Sequence, residues 1–423
     1  MSQRQPVHVV YGGAHLYRAE SPQKLARLAL AAMDTWGYDD DVFASMVGLR
    51  DASLAGELAA RVREKLARDP VEKTCIDFED GYGPRSAEEE DAEAVRTAGE
   101  LARVVAMGPS DTGPSATVVG IRIKALTGNT AARAARTLEL FLTTLARATI
   151  GKVPAGFTVT LPKVSGAAEV TSLAELLSAH ESALGMTQGT IGIELMVETP
   201  RALLDTEGRI ALPSIVAAAR GRCVAAHLGA YDLTANIGVT AGAQRLDHPM
   251  CEMARLLMQI SLAGTNVLVV DGATTVLPTA RHRAVAAQPL GDVEIAENLA
   301  EVLAAWKLHA TAVTHALSLG IHQGWDLHPA QLPARYGAVY AFFLAERAAM
   351  TTRLKAFVAK ATQATRSGQI FDDAATGQGL LNFFVRGVAC GALSEADVSA
   401  TSLSLDELHA RSFERIVAAR TSR

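Results

Sequence analysis

Charged side chains recur at, or just after, the ends of apolar strand-like runs: Asp77, Arg122, Lys163, Glu198, Asp232, Asp271 and the pair Asp326/His328. A parallel α/β barrel gathers its strand ends at one mouth, so charges repeated there are the pattern of an enzyme site. In CIDFEDGYGPR (75–85), Asp77 and Glu79 share one face of a strand, while Asp80 points with Phe78 or leaves the strand. Such a cluster can hold a hydrated divalent cation or position a catalytic Arg or Lys. The acidic run at 88–91 instead suits the first turn of a helix that Ser86 or Asp80 would cap.

Arg122 and Lys124, in GIRIK, lie two apart and so face one side of a strand. Two such cations need an anion, which is either a substrate carboxylate or the neighbouring Asp77 and Glu79. Lys163 repeats the logic at a strand exit, where it can also reach water. Glu198 ends IGIELMVE and Asp232 follows AAHLGAY, each entering a turn before a helix. As a pair from adjacent strands they are oxygen donors suited to Mg²⁺ or Mn²⁺ rather than zinc. Taken singly, Asp232 reads equally well as a helix cap and Glu198 as a partner of Arg201. Glu194 shares the face of Glu198 one layer deeper, with an open role. His328, beside Pro329, is expected to hold a loop, and His15 and His227 near other strand ends are read with the same restraint.

Eight β-rich runs position these groups, at 7–11, 74–78, 116–124, 157–162, 190–197, 223–228, 266–270 and 320–325. Amphipathic stretches with three- and four-residue apolar spacing separate them, at 22–33, 87–105, 131–148, 170–184, 212–220 and 293–319. Strand then helix, repeated to eight, predicts a TIM (β/α)8 barrel with right-handed crossovers. The long gap between the first two strands predicts an insertion of two helices, the second at 51–69. The Gly/Pro/Ser-rich piece 107–115 reads as a surface loop. Beyond about residue 335 the pattern is helical, from 338 to 364, then a polar turn at 367–379, then helices to the end. The expected organisation is a catalytic barrel over 1–335 and a C-terminal helical extension over 336–423.

A net charge of -5 gives no electrostatic reason to expect nucleic acid as a partner. Cys75, Cys223, Cys251 and Cys390 are scattered without CxxC spacing and are read as reduced, structural thiols. No cationic-then-apolar leader and no membrane-length apolar run is seen, so a soluble, cytoplasmic protein is expected. The sequence holds no P-loop, no GxSxG elbow, no HExxH and no dinucleotide fingerprint, so ATP and NAD chemistry are unsupported.

Six segments in order, IDFED, GIRIK, LPKVSGAAEV, LMVETPRAL, HLGAYDLTANIG and DLHPAQ, resemble the citrate lyase β-subunit and malyl-CoA lyase group of the HpcH/HpaI aldolase superfamily, over about residues 70 to 380. The resemblance implies a TIM barrel with a divalent cation, Mg²⁺ or Mn²⁺, held by Glu198 and Asp232. It implies that Arg122 contacts a substrate carboxylate or enolate oxygen. It also implies a lid, at GQIFDDA (368–374), whose Asp372 acts as acid/base with Asp373 second, often in a neighbouring subunit's site. Two departures stand out. The first strand runs into YGGAHLYR where the group has a Pro-Gly-Arg-like turn that helps bind coenzyme A, and Lys124 replaces the usual Asn.

The function expected is a metal-dependent carbon–carbon lyase or aldolase acting on a small 2-oxo or 3-hydroxy carboxylic acid through a stabilised enolate. Arg122, Asp77, Asp80 and Asp372 are its catalytic candidates, and Arg122, Lys124, Lys163 and Asp271 its substrate contacts. An acyl-CoA lyase or thioesterase using a coenzyme A thioester is the nearest alternative, and a non-catalytic barrel subunit of a larger complex is another. A homo-oligomer is expected by analogy.

Overall fold

In the computed structural model, residues 5–108, 117–284, 289–366 and 374–421 are described. Eight strands, β1 (His8–Gly13), β2 (Lys73–Asp77), β3 (Val118–Arg122), β4 (Thr158–Leu161), β5 (Gly192–Val197), β6 (Cys223–Leu228), β7 (Leu268–Val270) and β8 (Gly324–Asp326), form one sheet. All pairings are parallel, in the order β7-β6-β5-β4-β3-β2-β1-β8. A parallel bridge from Val270 to Gln323 and a 2.9 Å hydrogen bond from Asp271 N to Gln323 O join the two ends. The sheet is therefore the expected TIM barrel, whose closure leaves no edge strand to protect.

Inward side chains alternate along each strand. Val9, Tyr11, Cys75, Ala225 and Val270 make a small apolar belt inside the barrel. Below that belt Lys73 pairs with Glu194, and His227 Nε2 lies 3.4 Å from the other Glu194 oxygen. Burial alone would raise Glu194, but Lys73 and then His227 overcome it and hold the carboxyl well below the usual range. Glu194 and His227 are thus interior groups that brace the barrel. Outside, helices such as Ala87–Met107 and Ala131–Thr149 cover the strands with a large apolar core. Ser86 caps the first of them in a reciprocal box with Glu89.

The insertion between β1 and β2 holds three helices, Ser21–Trp36, Asp40–Met46 and Ala55–Arg68, one more than the sequence pattern suggested. The extra one is short and starts at Asp39, whose carboxylate accepts from the backbone of Asp41 and Val42. These helices share a second core with Asp292–Ser318 and with the C-terminal helices Leu332–Arg366 and Ala374–Cys390. Arg347 ties the two ends of the chain, donating to Glu57 at 2.7 and 2.8 Å and to Asp397 at 3.2 Å. All four cysteines are buried and unbridged. Among the described residues no helix is long and apolar enough to cross a membrane.

Candidate active site

The C-terminal ends of β2 and β3 supply the first pair. Asp77 is buried and grips Arg122 with both oxygens, at 2.7 Å to Nε and 2.5 Å to Nη2. Its remaining lone pairs accept from the backbone of Glu79 (2.9 Å) and Gly81 (2.7 Å). The carboxylate is saturated by these four bonds, so its work is to aim the guanidinium. Gly81 is required here, because a Cβ would fall 2.6 Å from Asp77 Oδ2. The third guanidinium nitrogen, Arg122 Nη1, reaches Glu79 at 3.2 Å and Asp80 at 3.6 Å. The cation also lies over the rings of Tyr11 (5.2 Å) and Trp325 (5.8 Å), which fix it from the β1–β8 side.

Lys163 follows β4 in a left-handed backbone conformation, φ 53°, that turns its side chain across the mouth. Its Nζ pairs with Glu79, sits 3.3 Å from Asp80 and lies 3.8 Å from Asp232 Oδ1. Burial would lower this lysine, yet Glu79, Glu198 and Asp80 outweigh it and hold its pKa above the ordinary value. Its backbone N–H donates to Glu198 Oε1 at 2.6 Å.

Glu198 ends the β5 run and is almost fully buried, at 1 % exposure. Burial first, and the Asp232 carboxylate second, push its pKa up to about 7 against the pull of Lys163 and Arg122. Asp232 sits in the first turn of the helix Ala230–Asn236 after β6, where Gly229 N bonds to Val197 O and brings that turn beside β5. Gly229 leaves room for the glutamate, since a Cβ there would lie 2.5 Å from Glu198 Oε2. The nearby Asp232 adds to burial in raising the proton affinity of Glu198, and a carboxylate pair in a partly dry place is suited to a hard cation. Among the described residues no group of three or more His, Cys, Asp or Glu side chains could hold a metal ion. A cation at Glu198 and Asp232 would take its other oxygens from water or substrate, which is the habit of Mg²⁺.

A cavity of about 340 Å³ is lined by Asp77, Asp80, Arg122, Glu198 and Asp232, together with the aromatic side chains of Tyr11, Tyr231 and Trp325. The aromatic wall was not anticipated from sequence. Its signal was present in the alternation, because Tyr11 and Trp325 occupy inward positions on adjacent strands with ring centroids 4.2 Å apart.

The structure does not bring Lys124 and Asp271 into this cavity. Strand β3 stops at Arg122, so alternation no longer governs Lys124, which turns outward to pair with Glu90 and donates to Phe78 O at 2.9 Å. Asp271 is buried against Arg255 of the helix Pro249–Leu262, at 2.8 Å. Asp372, with Asp373, lies outside the described residues. His15 packs at a tilt against Tyr82, with ring centroids 5.8 Å apart.

The DLHPAQ segment builds a wall. Asp326 is fully buried between His8 Nδ1 (3.0 Å), His309 Nε2 (2.9 Å) and Arg335 (2.9 Å). His328 caps the turn at Ala330 N, as a loop-holding histidine would. Gln331 accepts from Leu327 N at 2.8 Å and donates to Thr274 O at 3.0 Å, which fastens the loop after β7.

Residues 1–416 match the family described as "Domain of unknown function (DUF6986)". No curated protein matches the sequence. Among solved structures, a citrate lyase from Burkholderia xenovorans LB400 is similar with a TM-score of 0.54 and 19% identity, covering 84% of this chain and 93% of that one. A citrate lyase β subunit from M. tuberculosis, complexed with oxaloacetate and magnesium, gives a TM-score of 0.40 at 19% identity, over 79% of this chain and 96% of its own. A Haloferax volcanii malate synthase in a pyruvate/acetyl-CoA ternary complex gives 0.46 at 14% identity, over 80% and 70%. At 19% identity the likeness to the Burkholderia structure is one of fold.

Proposed function

The chain belongs to the DUF6986 family, and we propose that it is a metal-dependent carbon–carbon lyase or aldolase acting on a small 2-oxo or 3-hydroxy carboxylic acid. One observation carries the reading: a guanidinium locked by Asp77 and a mutually repelling carboxylate pair face the same small cavity. Glu198 and Asp232 are the residues that would hold Mg²⁺ or Mn²⁺. When bound, the ion supplies positive charge to a substrate carboxylate and its adjacent oxygen.

The rest of the chemistry falls to this chain's own side chains. Arg122 is held in advance against the position where negative charge grows as the carbon–carbon bond breaks, so little reorganisation is needed during the reaction. Asp77 acts through Arg122 as a positioning residue. Lys163 cancels part of the charge of Glu79 and Asp80 at the rim and keeps the mouth open to an anion. Tyr11 and Trp325 back the guanidinium and exclude water from its rear face. To Asp372, or to Asp80 at the half-open rim, we assign transfer of the hydroxyl or methyl proton. The YGGAHLYR turn after β1 lacks the Pro-Gly-Arg-like residues that help bind coenzyme A in the group the motifs resemble, so the free acid is preferred to its thioester.

The test is turnover of a panel of 2-oxo and 3-hydroxy acids by purified protein with Mn²⁺. Cleavage or retro-cleavage that is lost in Arg122→Met and reduced in Asp372→Asn supports the reading. An unchanged panel, with metal bound, points to a non-catalytic barrel.

A further inference from the structure

A groove of about 1060 Å³ runs between the helices Pro249–Leu262 and Asp292–Ser318, beside the mouth. Tyr231 borders both the groove and the catalytic cavity. Its hydroxyl donates to Ala273 O at 3.1 Å and lies 3.2 Å from Thr275 Oγ1. Ala273 lines the mouth cavity while Thr274 and Thr275 line the groove, so the two spaces share one partition. Thr274 is in turn bound to Gln331 and, at 2.7 Å, to His309. The partition is thus braced by the buried DLHPAQ network.

The charges lining the groove largely neutralise one another. Glu252 lies 3.2 Å from Arg255 and 2.8 Å from His315, Arg245 lies 3.1 Å from Asp247, and Arg255 is held by Asp271. Beside Lys307, Gln244 and Thr311, the groove exposes apolar side chains: Met253, Val276 and Leu308 are 38%, 51% and 45% exposed and stand in its lining with Ala304. Exposed apolar surface in a concave place next to a reactive mouth is the form of a ligand subsite.

We propose that this groove is the tail subsite of the same active site. The substrate is an elongated 2-oxo or 3-hydroxy acid whose carboxylate end meets Arg122 and the Glu198/Asp232 pair, and whose apolar chain passes Tyr231 into the groove. The proposal rests on the lyase reading above. It makes Tyr231 the specificity-determining residue, because its side chain, latched to Ala273 and Thr275, stands between the mouth cavity and the groove. It also explains why so much buried polar structure is spent on a loop that carries no reacting group.

The experiment is calorimetric titration of the full chain in Mn²⁺ with pyruvate, 2-oxohexanoate and 2-oxodecanoate, and of the metal-free chain with decanoate, which reads the groove alone. Affinity is expected to rise about two- to fourfold per added methylene. Ala304→Trp, which fills the groove, and Leu308→Glu, which charges it, are at exposed positions and should each reduce 2-oxodecanoate to the affinity of pyruvate. A flat series in the unaltered protein, or a steep one that neither variant changes, overturns the subsite. Should pyruvate fail to bind with Mn²⁺, the lyase reading is the part that fails, and decanoate then decides the groove. Decanoate binding lost in Leu308→Glu supports an apolar-chain site, and no decanoate binding overturns it. If a second copy of the chain covers the groove, decanoate is excluded and Leu308→Glu lowers the mass measured by light scattering, which also overturns the proposal.

Discussion

Glu198→Gln should stabilise the metal-free protein at alkaline pH while destroying its metal site. Glu198 is 1 % exposed, and burial with the nearby Asp232 raises its carboxyl from 4.5 to about 7. An acid whose folded pKa is raised holds its proton in the folded state after the unfolded chain has released it. Stability therefore falls as pH rises from 4.5 to about 7 and is level above that. The gap between 4.5 and about 7, at about 1.4 kcal/mol per pH unit, amounts to roughly 3 kcal/mol. Glutamine keeps the shape, and its oxygen can still accept from Lys163 N, but it never charges. Thermal melts in EDTA should thus coincide for the two proteins near about pH 4, and the variant should melt higher at about pH 8. Adding Mn²⁺ at the higher pH should raise the melting temperature of the unaltered protein and leave the variant where it was. Equal melting at both pH values, or a variant that Mn²⁺ stabilises as strongly, would refute the reasoning.

Asp77→Asn should leave Arg122 loosely aimed and lower kcat by about 10²-fold or more, with a smaller change in KM, in steady-state assays on the substrate the panel identifies. Gly229→Ala keeps both carboxylates yet puts a methyl group 2.5 Å from Glu198 Oε2; Mn²⁺ titration should show weakened binding although no ligand has been removed. Lys124→Gln should leave turnover intact and cost about 1–3 kcal/mol in stability, because Glu90 is left buried without its main cation. Chemical denaturation reads the last effect.

Much of the barrel was legible because strand ends and helix faces obey short periods. Alternation placed Asp77 and Arg122 on adjacent inward positions, and the structure joins them by two hydrogen bonds. The same rule misplaced Lys124, because nothing in GIRIK says that the strand stops at Arg122. Asp271 looked like a mouth residue, but its partner Arg255 lies on a helix sixteen positions earlier in the chain, and only packing brings them together. Tyr11, Trp325 and Tyr231 carry no charge to mark them; alternation turns Tyr11 and Trp325 inward, but their part in shaping the mouth emerges only once the barrel gathers the ends of β1, β6 and β8. The Asp326/His328 motif was visible as a motif, yet its role is support. Asp326 is enclosed by His8 of β1 and by His309 and Arg335 from the helices on either side of β8, and no short period predicts that grouping.

The central claim is that Glu198 and Asp232 jointly bind a divalent cation at the barrel mouth. Paramagnetic resonance of free Mn²⁺ during titration with protein measures it directly. The account predicts that the unaltered chain takes up Mn²⁺ and that Glu198→Gln and Asp232→Asn each abolish the uptake while keeping the folded circular dichroism spectrum. Uptake unaffected by both substitutions would contradict it.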